Sequence, residues 1–134
     1  MSEKIIIDAT NATLGRLASY AAKQALLGKD VVILNCSLAV ISGRRESILS
    51  NYKQKRARGS TTLKGPHYPR SPERIMKRTV RGMLSYTQGR GSVALKKVMC
   101  YNEVPLEYET SKKILAGKEK RTKTMTLGEL SRLI

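Results

Sequence analysis

The residues with the clearest capacity for chemistry are cations. Arg74, Lys77, Arg78 and Arg81 recur at i, i+3, i+4 and i+7, a spacing that stacks four positive side chains along one side of an α-helix. Upstream stand Arg44, Arg45, Lys53, Lys55, Arg56, Arg58, Lys64 and Arg70, with Tyr52, His67 and Tyr68 among them. Cations spaced in this way meet phosphates, and interleaved rings can stack on or bond to exposed bases and riboses. Gly59 and Gly65 permit close backbone approach. Arginine outnumbers lysine on the helix, which suits bidentate phosphate contacts. Arg90 and the tail residues Lys118, Lys120, Arg121 and Lys123 extend the set. The plainer alternative for such a stripe is a solvated basic face. The nearly acid-free surroundings favour a polyanion.

Other chemistries find less support. The turn DATNATLGR has one glycine where a dinucleotide fingerprint wants three, and no GxxxxGK[ST] is present. Asp8 closes an apolar run and reads as a turn cap rather than an acid catalyst. His67, between Pro66 and Tyr68 in a cationic stretch, reads as a stacking or packing residue rather than a general base. Cys36 lies in an apolar run without a helper, so a nucleophile is not expected. Cys36 and Cys100 form no CxxC, and with a single histidine no zinc site is expected. The expectation is therefore no catalytic residue, no metal, no cofactor and no small-molecule substrate.

The charge balance points the same way. The 134 residues carry 26 Lys and Arg against 10 Asp and Glu, for a net +16. Residues 44–97 hold 15 of those cations and only Glu46 and Glu73 as acids. Charge of one sign opposes compaction unless a polyanion neutralises it, and nucleic acid is the commonest such partner. Apolar residues make up 40%, with no Trp and no Phe, so the core must rest on aliphatic side chains. No apolar run approaches the ~18 residues of a membrane span, and the N-terminus lacks the apolar region of a signal peptide. The expectation is one cytoplasmic domain over residues 1–134, with a basic block at 44–97 and a basic tail and short helix at 111–134.

The elements that must carry these residues follow in order. KIIID, from Lys4, and VVILNC, from Val31, read as buried strands, with a helix over Leu14–Leu27 ended by Gly28. Two continuously apolar strands around a helix predict a βαβ unit, hence an α/β fold with a parallel sheet covered on both faces. Leu38 to Ile41 reads as a brief extended piece. Arg44 to Arg58 reads as a helix fraying into a basic loop that runs to Arg70. That loop, Lys53 to Arg70, is expected to be mobile in the free protein, because its cations repel. Ser71, as N-cap, and Pro72, at the first helical position, open a helix to Leu84. A turn at Gln88–Gly91, one or two helical turns at Ser92–Lys97 and a strand at Val98–Tyr101 come next. Thr126 and Glu129 have capping-box spacing for a terminal helix.

These segments carry a family resemblance. GPHYPRSPERIMKRTVRGML, from Gly65 to Leu84, resembles the signature region of the universal large-subunit ribosomal protein family thirteen. DATNATLGRLASYAAKQALLGKDVVILNC, AVISG and TLGELSRLI agree in the same order, in the manner of the archaeal or eukaryotic branch. Ser85 stands where that family usually has proline. The resemblance implies a three-layer α/β/α sandwich with a four-stranded, mostly parallel sheet and a basic loop-plus-helix extension. It further implies a ribosome-bound protein that binds large-subunit ribosomal RNA, meets neighbouring large-subunit proteins and supports subunit assembly. Two rival readings share the same residues: a messenger-RNA-binding regulator away from the ribosome, and a small RNA-acting enzyme.

Overall fold

A computed structural model describes residues 3–57, 69–109, 113–115 and 123–134. Strand β1 (Lys4–Asp8), helix α1 (Leu14–Leu26) and strand β2 (Asp30–Leu34) form the expected βαβ unit, with β1 and β2 parallel. Gly28, at φ +94°, turns the chain out of α1 in the left-handed region that glycine adopts without strain. β2 ends sooner than its apolar run suggests. Asn35 takes φ 58°, and Cys36–Leu38 form a 3-10 turn, so Cys36 lies just beyond the strand.

Strand β3 (Val40–Ser42) and helix α2 (Arg45–Ala57) follow, then α3 (Pro72–Gly82), α4 (Gly89–Lys96) and β4 (Val98–Cys100). A 3-10 turn at Leu106–Tyr108 precedes β5 (Ile114–Leu115), β6 (Thr124–Thr126) and α5 (Leu127–Leu133). The main sheet has the order β4-β2-β1-β5, and all three of its pairings are parallel. β3 and β6 form a separate antiparallel pair. Neither β5 nor β6 was expected, and both fall in the basic tail.

The two faces of the sheet are covered unequally. Ile5, Ile7, Val31, Ile33 and Val98 point into one core shared with α1, α3, α4, α5 and Ile48 of α2. Ile7, Leu17, Ile33, Met76, Val80, Leu127 and Leu130 are fully enclosed there. Burial of each such side chain contributes roughly 1.5–3 kcal/mol. Val32 and Leu34 point the other way, under a strap formed by residues 101–109 whose Tyr101, Val104 and Tyr108 lie on them.

Several turns close by different means than local sequence suggests. Ser71 is the N-cap of α3 by position, but its hydroxyl accepts no capping bond. Asn102, from the strap, caps the helix instead, its Oδ1 accepting from the Glu73 N–H at 3.0 Å. The helix positions Glu73 in its first turn, where the dipole favours an anion. α4 begins at Gly89, inside the stretch expected to be a turn, because Gly91 lets it pack on the preceding backbone. A Cβ at Gly91 would lie 2.0 Å from the Ser85 carbonyl oxygen. At the end of the chain Thr126 does cap α5 as its spacing predicts, its Oγ1 accepting from the Glu129 N–H at 3.2 Å.

Candidate nucleic-acid interface

Helix α3 separates its side chains sharply. Pro72, Ile75, Met76 and Val80 are buried, while Arg74 is exposed and pairs with no acid among the described residues. Arg78 and Arg81 are half-buried, lying with Arg74 along one groove. That groove, about 240 Å³, is lined by Pro69, Arg74, Lys77, Arg78 and Arg81. A neighbouring pocket of about 170 Å³ is lined from α2 and α3 by Tyr52, Lys55, Ile75, Arg78 and Thr79, together with Pro69.

Lys77 departs from the expected row of four. Its ammonium donates to the carbonyl of Leu95 at 2.7 Å and to that of Val98. Burial lowers its pKa from the ordinary lysine value, against a smaller opposing effect of Cys100. The reason is angular. At about 100° per residue, Lys77 lies only about 60° around the helix from Val80, whereas Arg74 lies about 120° away. Lys77 therefore borders the buried face. β4 is the outer strand of the sheet, and the Lys97 carbonyl turns inward to the Val31 N–H at 2.9 Å. Successive carbonyls alternate, so that of Val98 faces outward. Lys77 satisfies it and blunts the free edge.

The remaining described cations of the expected set stand on α2, on α4 and on the chain that leads into α2, α3 and β6. Lys53, Lys55 and Arg56 belong to α2, not to a loop, since the helix continues to Ala57. The Lys55 ammonium lies 5.1 Å from the Tyr52 ring centre, one turn back. Arg70 is exposed but anchored, its Nε donating to the Ser131 carbonyl of α5 at 2.8 Å. Arg45 pairs with Glu129 of α5. Arg44, Arg45 and Lys123 surround a second basic opening, with Glu46 the acid among its described residues. Arg90 is exposed in the first turn of α4. Arg58, Lys64, His67, Tyr68, Lys118, Lys120 and Arg121 lie outside the described residues, as does the side chain of Arg56 and most of the loop expected to be mobile.

Tyr86 was missed by the sequence reading. It is exposed on the turn after α3, and the Arg81 guanidinium lies 4.8 Å from its ring centre. The available signal was an aromatic residue inside a basic segment, five positions beyond the last arginine of the stripe.

The candidate catalytic groups are otherwise engaged. Burial disfavours ionisation of Asp8, but hydrogen bonds from the Thr10 hydroxyl, Asn35 and the Thr10 N–H outweigh it and hold its carboxyl below the ordinary range. The Cys36 thiol is buried and donates to the Ile33 carbonyl at 3.7 Å. The neighbouring Cys100 thiol and burial both push its pKa up, away from the thiolate.

A parallel sheet, a helical layer that among the described residues lies on one face, and a cationic groove together define a basic α/β protein whose charge stands on a packed core. The family described as Ribosomal protein L13 matches residues 2–107, and the chain belongs to it. It is 44% identical over 132 residues to the large ribosomal subunit protein uL13 of Methanosarcina barkeri, covering 94% of each chain. Against uL13 of Picrophilus torridus it is 41% identical over 133 residues, covering 97% of this chain and 96% of the relative. Against that of Archaeoglobus fulgidus it is 42% identical over 135 residues, covering 96% and 86%.

Proposed function

We propose that this protein is a structural constituent of the large ribosomal subunit, bound to large-subunit ribosomal RNA through the cations of α2 and α3. The observation that carries the reading is the row Arg74, Arg78 and Arg81 lining one groove on a helix whose opposite face is buried in the core. Because the helix is already held by the core, binding a phosphate backbone leaves only its side chains to be ordered. From their charge and order in the chain we extend the RNA contact to Arg44, Arg45, Lys53, Lys55, Arg56, Arg58, Lys64, His67, Tyr68, Arg70, Arg90 and the tail cations. Lys77 acts from behind, holding the helix to β4. Tyr86 adds a ring on which an unpaired base can stack. We read the 134 residues as one domain, ribosome-bound in the cytoplasm among other large-subunit proteins. Catalysis forms no part of the reading, since Asp8 is engaged by Thr10 and Asn35 and Cys36 by the Ile33 carbonyl.

The test is salt dependence. Each phosphate contact contributes a slope of about −0.9 on duplex or about −0.7 on single strands to log K against log salt. Replacing Arg74, Arg78 and Arg81 together by alanine should weaken binding to large-subunit RNA and flatten the slope by about 2 to 3. An unchanged slope rejects the assignment.

A further inference from the structure

The strap over the second face of the sheet has the opposite character to the rest of the molecule. Residues 98–109 hold Glu103, Glu107 and Glu109, three of the ten acids of the chain, and no lysine or arginine. All three are exposed. Among them Leu106 is 87% exposed and Met99, on the adjacent edge strand, 49%. Val104 and Pro105 sit half-buried beside a shallow hollow that Tyr101, Asn102 and Glu103 complete. Two described cations stand at its border: Lys4 lies over the Tyr108 ring, and Lys113 donates to the Glu109 carbonyl. The strap is itself firmly set, by Ser37 donating to the Asn102 carbonyl and by Asn102 capping α3.

We infer that this apolar, acid-rimmed strap is a docking surface for a lysine- and arginine-rich segment of another protein. Leu106 is its apolar anchor and Glu103, Glu107 and Glu109 its electrostatic rim. Two physical arguments select that occupant. A leucine left almost wholly in water, on a strap otherwise set against the sheet, is surface that a partner removes from water. Three carboxylates on a chain of net +16 repel phosphate and attract cations, so RNA is disfavoured here and a basic polypeptide favoured. The inference is separate from the RNA contact of α3, which lies on the helical side of the sheet.

A photo-crosslinking amino acid placed at position 106 in the full-length protein, expressed and irradiated in cells, tests it. The expected product is a cross-link to another protein, mapped to a peptide rich in lysine and arginine. The combined substitution E103K, E107K and E109K, all at exposed sites, should reduce that product by about tenfold. It should leave the protein folded by circular dichroism. A cross-link to RNA, to a second copy of this chain or to an uncharged or acidic peptide overturns the inference, as does no product at all. So does a product whose yield ignores the charge reversal. Sedimentation of the same irradiated extract reads the ribosomal assignment separately. A chain that travels with the large subunit but yields one of those overturning results refutes the docking surface alone.

Discussion

The two faces of the central sheet are built from the same strands and solve different problems. On one, Ile5, Ile7, Val31, Ile33 and Val98 meet a continuous helical layer. On the other, among the described residues, Val32 and Leu34 pack with Ile6 under the strap and its Tyr108. The thick face supports a helix whose outer side carries Arg74, Arg78 and Arg81, while the thin face carries Glu103, Glu107, Glu109 and an exposed Leu106. The difference teaches that the net charge of a protein is a poor description of its surfaces. Helix α3 can hold concentrated like charge because its apolar side is clamped by Ile75, Met76 and Val80. The strap needs no such clamp, because its few acids are spread among apolar residues.

Substitutions can sharpen or break that contrast. The largest effect is expected at the clamp. Met76→Ala removes a fully buried side chain under the arginine row and should cost about 2–5 kcal/mol in chemical denaturation. If it costs no more than a surface substitution, the clamp is not what holds α3. Next comes Lys77→Met, which leaves the carbonyls of Leu95 and Val98 without their donor. A loss of about 1–3 kcal/mol is expected. The salt slope of RNA binding should stay as it was, because Lys77 meets carbonyls rather than phosphates. Tyr86→Ala should weaken RNA binding by about 1–3 kcal/mol without changing that slope, since stacking carries no counterion release. A changed slope would mean that the substitution displaced Arg81 instead.

Smaller effects lie at the sheet end and on the strap. Asp8 titrates below its ordinary value of 3.8, so its stabilising contribution is complete above that pH and disappears as pH falls through the lowered folded value. The stability gap between the native chain and Asp8→Asn should thus be constant at neutral pH and close in acid, as followed by urea melts across pH. A gap that widens in acid would reverse the assignment. Leu106→Ser should change stability by no more than about 0.5 kcal/mol, because that side chain buries little against its own fold.

Much of this arrangement was legible in the order of residues. β1 announces itself through an apolar run, α1 through an apolar stripe ended by Gly28 and α5 through its capping pair, and the alternation within α3 marks which face is enclosed. These signals are local: a helix of three turns repeats its pattern often enough to be read, and Thr126 finds its capping partner three residues away. β5 spans two residues and β3 and β6 three each, too short to show a period, and each exists only because a distant strand pairs with it. The same holds for single groups. Asn102 caps a helix that starts thirty residues earlier in the chain, and Lys77 binds carbonyls about twenty residues ahead. Composition and spacing determined that this is an α/β protein with a concentrated positive charge. Packing decided which cations face outward and which become internal ties, because a lysine at the border of a buried face takes its partner from whatever backbone the fold brings beside it.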